Sequence, residues 1–293
     1  MKRAAKILCI FIFRALERRL SVRNLYRILK LPAFLWATIK MCGKENHQKP
    51  LPQFLQVNWS AQLKRQRHAT IFLSNVLDYF PDQLPTPKWK GCCRIHGLEH
   101  VQTALQNGRP VILALVHFGP YWLMRAWLRS VGIPFAPLVG GRIKSRPRYR
   151  RQLDKYIPMP DVSPVFYLDQ LRKTSAFLAA GNVLGVTIDN AQADKTISVP
   201  FGEGWTFQMA TGAVRLAIRQ QAELIPCIIA DEGDWQFRLE LGRPVPKEFL
   251  AQEKDWPRAG KHLLEEMMPL LLAHPEQCQR EFIGCLQKNR LRD

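Results

Sequence analysis

The chain has 293 residues, of which 47% are hydrophobic, so it can bury a sizeable core and is too apolar for a disordered protein. Its 43 Lys and Arg residues against 24 Asp and Glu give a net charge of +19, which favours a polyanionic partner: nucleic acid, an anionic membrane or an acidic protein. The seven cysteines form no Cys-x-x-Cys pair, a usage typical of reduced thiols in a cytoplasmic compartment.

The first 50 residues mix large apolar side chains with arginine and lysine. The apolar run Ile7–Phe13 is much shorter than the ~20 residues that span a bilayer, and Arg14 ends it. Basic amphipathic helices of this composition lie in the membrane interface. We therefore expect residues 1–50 to be a membrane-associated region, with a charged outer helix of a soluble domain as the alternative. The polar stretch Gly43–Pro52 predicts a linker, and residues 51–293 are expected to form one domain.

Beyond the linker, helical and strand patterns alternate along the chain. The pattern of apolar residues and turn signals predicts the strands Cys92–His96, Val111–Val116, Phe135–Val139, Val165–Tyr167, Val183–Ile188, Leu224–Ala230 and Gln236–Leu241, of which Val111–Val116 and Val183–Ile188 are expected to be buried. Amphipathic patterns predict the helices Trp59–Tyr79, Glu99–Gln106, Trp122–Ser130, Tyr149–Tyr156, Leu168–Ala180, Gly212–Arg219 and Trp256–Leu272. This alternation predicts an α/β fold with a mostly parallel central sheet flanked by helices.

His117 directly follows the buried strand Val111–Val116. Open α/β sheets bind their ligands at the carboxyl ends of their strands, and imidazole is the side chain best suited to move a proton near neutral pH. The position therefore makes His117 a candidate catalytic base. A lone, hydrogen-bonded, half-buried histidine is the alternative.

Two further groups of polar residues follow strands in the same way. Asp189 and Asn190 come after Val183–Ile188, and a basic run from Arg142 to Arg151 comes after Phe135–Val139. Because parallel strands end at one edge of a sheet, these groups and His117 are expected to line one cleft. Arginine forks suit phosphate recognition. A solvated basic face or a nucleic-acid surface is the alternative, but Tyr149 is the only aromatic residue in the run, so we expect no nucleic acid partner.

Other chemistries lack their motifs. His96 and His100 flank Gly97 without a His-Glu-x-x-His order or a third ligand, so no metal is expected. The glycine pairs at 140–141 and 202–204 form neither a dinucleotide fingerprint nor a P-loop, so no cofactor is expected. No serine lies in a Gly-x-Ser-x-Gly context, which argues against a serine hydrolase.

Taken in order, these pieces resemble a known family over about residues 94–246. They are Gly108–Leu113 leading into His117-Phe118-Gly119, the Arg142 loop, Asp189-Asn190, Val199-Pro200-Phe201-Gly202, the helix start Thr211–Ala217 and Ile225-Pro226. Their order and spacing are similar to those of the lysophospholipid acyltransferase superfamily, and in particular of the lipid A biosynthesis (lauroyl/myristoyl) acyltransferases.

The resemblance implies transfer of a fatty acyl chain from an acyl-carrier-protein or acyl-CoA thioester to a lipid hydroxyl. The implied location is peripheral, on the cytoplasmic face of the inner membrane, where acidic carrier protein and anionic lipid are partners for a basic surface. His117 would be the general base, with Asp189 as the second catalytic residue. The implied substrate-binding residues are Arg142, Arg148, Arg151, Phe118 and Gly119, with Arg142 holding acceptor phosphate or stabilising the oxyanion.

The sequence departs from the family motif at one position. The motif has an acid five residues after the histidine, and this chain has Trp122 there. Three interpretations follow: another acid, Asp189 or Glu203, reaches His117; His117 works unassisted; or the protein is a catalytically impaired homologue that binds membrane lipid or carrier protein.

Overall fold

The computed structural model describes residues 12–13, 15–42, 61–77, 88–139, 165–190 and 193–288. Its helices, in chain order, are α1 (Val22–Cys42), α2 (Ala61–Leu77), α3 (Leu98–Gln106), α4 (Met124–Ser130), α5 (Leu171–Ala179), α6 (Gly212–Gln220), α7 (Trp256–Ala273) and α8 (Arg280–Gly284). Its strands are β1 (Cys93–His96), β2 (Val111–Leu115), β3 (Phe135–Val139), β4 (Phe166–Tyr167), β5 (Val183–Thr187), β6 (Thr196–Pro200), β7 (Trp205–Ala210), β8 (Glu223–Asp231), β9 (Phe237–Leu241) and β10 (Leu286–Lys288).

Seven strands form the central sheet, in the order β1-β9-β8-β2-β5-β3-β4. Every neighbouring pair is parallel except β8 and β9, so β1 and β9 run opposite to the other five strands. A second, antiparallel sheet has the order β10-β7-β6. The carboxyl ends of β8, β2, β5 and β3 consequently meet at one edge of the central sheet.

Helices cover both faces of the central sheet, which explains why β2 is buried at all five positions. One face packs its even-numbered β2 residues, Ile112 and Ala114, against α5, α6 and α7. The other face packs Val111, Leu113 and Leu115 against α3, α4 and the N-terminal helices. The buried sides of α1 and α2 thus belong to the same core as the sheet.

The structure confirms the predicted α/β fold class with a mostly parallel sheet flanked by helices. The predicted helix from Trp122 begins as a single 3-10 turn, Tyr121–Leu123, before α4. The small sheet of β6, β7 and β10 was not predicted, and the helix predicted at Tyr149–Tyr156 lies outside the described residues. In the part of the chain that the structure describes, no helix combines the length and apolarity needed to cross a bilayer.

Candidate active site

The loop that carries His117 is shaped by a glycine two residues further on. Gly119 has a φ of 48°, a left-handed conformation that glycine adopts without strain. A Cβ at this position would lie 2.5 Å from the Ile229 carbonyl oxygen and 2.8 Å from Gln277 Oε1. Glycine therefore allows the loop to lie directly against β8.

A C-terminal segment fixes this loop from the other side. The Gly119 N–H donates to the Gln277 carbonyl at 3.0 Å, and the Gln279 N–H donates to the His117 carbonyl at 3.0 Å. The Gln279 side-chain amide also donates to the Gly119 carbonyl, at 2.8 Å. Phe118 is fully buried, and its backbone pairs with that of Cys278 in an isolated antiparallel β-bridge. Phe118 and Gly119 thus support the His117 loop, and their contact with substrate stays a prediction.

Asp189 reaches His117 from the neighbouring strand. Leu115 on β2 pairs with Thr187 on β5, so His117 and Asp189 each stand two residues beyond a paired position. Asp189 Oδ1 lies 2.8 Å from His117 Nδ1, and Asp189 Oδ2 accepts the His117 main-chain N–H at 2.6 Å. The Asp189 side chain is 0% exposed and that of His117 is 21% exposed. The carboxylate thus fixes both the backbone and the ring of His117.

This contact determines which ring nitrogen is available for chemistry. A carboxylate only accepts hydrogen bonds, so Nδ1 of His117 carries the proton and the neutral ring has Nε2 as its basic atom. Burial lowers the pKa of His117, but the Asp189 hydrogen bond and the charges of Asp189 and Glu281 outweigh burial. The pKa of His117 is therefore raised above its ordinary value of 6.5.

His117 and Asp189 open into a cleft of about 410 Å³ at the carboxyl edge of β2, β5 and β3. Its polar lining residues are His117, Tyr121, Arg125, Thr187, Asp189, Asn190 and Glu281, and its apolar ones are Leu115, Trp122, Phe135, Pro137, Leu138, Val139 and Gly185. The volume is within the range of small-molecule sites. The cleft therefore combines a charged group of residues around His117 with an apolar floor over the sheet.

Two aromatic rings pack next to His117, and one of them belongs to Trp122, at the sequence position where the family motif has its acid. The Tyr121 ring centroid lies 4.8 Å from that of His117 in an edge-on arrangement, and Trp122 packs on Tyr121 at 5.2 Å. Of the two acids that the sequence left open, Asp189 makes the hydrogen bond. Glu203 is exposed in the turn between β6 and β7 and is not among the described residues that line the cleft.

Arg125 and Glu281 line the cleft and were not singled out from the sequence. Arg125 lies four residues after Tyr121, whose ring packs on His117. Residues four apart lie on the same side of a helix, so this spacing could have identified Arg125 from the sequence. Glu281 arrives on α8, far away in sequence, and no local pattern points to it. The predicted residues Arg142, Arg148 and Arg151 lie outside the described residues.

The family model of the bacterial lipid A biosynthesis acyltransferases matches residues 76–277, more than half of the chain. That stretch contains β1–β9, His117 and Asp189. No curated protein matches the chain. The chain belongs to the bacterial lipid A biosynthesis acyltransferase family, which confirms the resemblance drawn from its motifs and makes lipid A acyl transfer its general activity.

Proposed function

We propose that this protein transfers a fatty acyl chain from the thioester of an acyl carrier protein to a hydroxyl of a lipid A precursor, with His117 as general base. The observation that supports this proposal is the buried Asp189 carboxylate 2.8 Å from His117 Nδ1, beside a cleft with an apolar floor. In this proposal Asp189 is the acid that supports His117, a role that Trp122 at the motif position cannot fill.

In the proposed reaction, Nε2 of His117 takes the proton of the acceptor hydroxyl as its oxygen attacks the thioester carbonyl. The tetrahedral intermediate then collapses, the carbon–sulfur bond breaks, and the imidazolium returns its proton to the departing thiolate. The products are an ester and a free thiol. Asp189 keeps the reactive tautomer and stabilises the imidazolium, as the aspartate of a serine protease does. A positioned base of this kind accelerates such steps by roughly 10²–10⁴-fold.

The same cleft contains a positively charged side chain that can bind an anionic group of the substrate or intermediate. Arg125 lines it together with His117 and is the only Arg or Lys side chain among the described lining residues. We assign to Arg125 the binding of an acceptor phosphate or of the oxyanion, because a guanidinium holds phosphate and oxyanion oxygens in a fixed fork. Arg142, Arg148 and Arg151, which follow β3 in the sequence, are proposed to bind anionic substrate groups together with Arg125.

We further propose that the protein lies on the cytoplasmic face of the inner membrane through α1. Four large apolar side chains at helical spacing are exposed there: Ile28 at 50%, Leu31 at 68%, Leu35 at 59% and Ile39 at 71%. The helix has no acidic residue and four basic ones, Arg23, Arg27, Lys30 and Lys40. An apolar stripe beside basic side chains is the pattern that binds an anionic lipid surface.

The test is an acyl-transfer assay on the purified protein with a lipid A precursor in mixed micelles. Lauroyl or myristoyl carrier protein is the donor, and the corresponding acyl-CoA is compared with it. We expect transfer by wild type and a loss of at least about 100-fold in His117→Ala. His96→Ala, at an exposed position on β1, is the matched control and should keep full activity.

If the wild type is inactive but still binds the carrier protein or lipid, this proposal is wrong. The protein is then the catalytically impaired, lipid- or carrier-binding homologue, the alternative raised by Trp122. A fully active His117→Ala would remove His117 from the mechanism.

A further inference from the structure

A glycine in the middle of the sheet shapes the apolar end of the cleft. Gly185 lies on β5 between Leu113 of β2 and Pro137 of β3. A Cβ built on it would lie 2.4 Å from Phe135 Cζ and 2.9 Å from Leu115 Cδ1. Glycine inside a strand weakens it and often marks a position that another group approaches closely, and here that group is the Phe135 ring. The ring lies across β5 where a side chain would otherwise stand.

Phe135 is the first residue of β3, at the end of that strand opposite to the cleft mouth. It is 4% exposed and still lines the cleft. Pro137 and Val139 also line it, and alternate residues of a strand face the same side of a sheet. The three side chains form an apolar row on one face of β3, and the Phe135 ring, which lies over Gly185, closes this row at the level of Pro137.

We propose that Phe135, lying over Gly185, sets the length of the acyl chain that the cleft accepts. This inference rests on the proposed function, in which the thioester carbonyl lies at His117. The chain then runs along Val139 and Pro137, and its methyl end meets the Phe135 ring. One methylene that fits or fails to fit an apolar pocket changes kcat/KM by roughly 10–200-fold, so a fixed ring at the end of the cleft selects sharply among donors.

Two substitutions change the end of the cleft in opposite directions. Phe135→Leu removes the far part of the ring and lengthens the space, whereas Gly185→Ala displaces the ring into the cleft. The matched control is Phe166→Leu on β4, which removes the same atoms from the opposite face of the sheet, where Phe166 packs on Phe177 with centroids 5.1 Å apart.

The experiment measures kcat/KM with saturated acyl thioesters of acyl carrier protein that have 10, 12, 14 and 16 carbons. We expect Phe135→Leu to prefer a longer chain than wild type, with at least a tenfold change in the kcat/KM ratio of two donors that differ by two carbons. Gly185→Ala should prefer a shorter chain, and Phe166→Leu should keep the wild-type preference. Circular dichroism checks that each variant is folded, and Phe135→Met replaces Phe135→Leu if the latter unfolds.

An unchanged donor preference in a folded, active Phe135 variant overturns this inference and leaves the proposed function intact. A wild type that transfers none of the four chains overturns the proposed function, and this inference with it.

Discussion

At the scale of single residues, the two carboxylate oxygens of Asp189 bind different groups of His117. Oδ1 binds the imidazole and Oδ2 binds the main-chain N–H of His117, so one buried carboxylate orients both the ring and its backbone. In the family motif an acid stands five residues after the histidine. Here Trp122 occupies that position and packs on Tyr121. The acid therefore comes from the end of a neighbouring strand.

This arrangement predicts a pH-dependent loss of stability in Asp189→Asn. An asparagine cannot accept both hydrogen bonds with its one oxygen, so a buried donor loses its partner at a cost of about 1–3 kcal/mol. The pKa of His117 is raised in the folded protein. The stabilisation from its protonated form is consequently complete below the unfolded value of 6.5 and is lost as pH rises through the folded pKa.

Urea denaturation of wild type and Asp189→Asn at about pH 6 and about pH 9 measures this difference. The destabilisation should be larger at the lower pH. An equal loss in the free energy of unfolding at both pH values would show that the ion pair between protonated His117 and Asp189 does not stabilise the fold.

The sequence placed His117 and Asp189 at strand ends, and that was enough to make them neighbours in a parallel sheet. It did not decide between Asp189 and Glu203, because the choice depends on register: the pairing of Leu115 with Thr187 aligns Asp189 with His117. Glu281 was beyond prediction, since α8 reaches the cleft only through the tertiary contacts of Gln277 and Gln279 with the His117 loop.

At the scale of elements, α1 divides its residues between the core and the surface. Leu25, Ala33 and Ala37 are fully buried, while Leu31 and Leu35 on another side are exposed. The amphipathic and basic character of this region was predictable from its composition. Which apolar residues face outward was not, because the packing of α1 against α2 and the sheet decides it.

Membrane binding through α1 predicts that Leu31→Glu with Leu35→Glu releases the protein from vesicles. Fully burying each leucine is worth about 1.5–3 kcal/mol, so the double variant should lose at least about tenfold in partitioning to vesicles that contain anionic lipid. Sedimentation with vesicles of anionic and of purely zwitterionic lipid provides the measurement. Leu272→Glu, at a 48% exposed position on α7, is the control. Unchanged sedimentation of the double variant would exclude α1 as the membrane-binding element.

At the scale of the whole molecule, the alternation of strands and helices was sufficient to predict a mostly parallel sheet. The small sheet of β6, β7 and β10 was missed because its strands are only partly buried and β10 pairs with β7 across a long sequence separation. The net charge of +19 belongs to the chain as a whole and is not assigned to one element. It favours the association of an acidic carrier protein and an anionic membrane with the same molecule.

The central claim is that His117 acts as a base held and tuned by Asp189, and the pH dependence of acyl transfer tests it most directly. A base must be neutral, so kcat/KM of wild type should rise with pH through a pKa above 6.5. Asp189→Asn should lower the plateau by roughly 10²–10⁴-fold and move this rise to lower pH, because the carboxylate that raises the pKa of His117 is gone. A wild-type profile without such a rise, or an identical profile in Asp189→Asn, would contradict the claim.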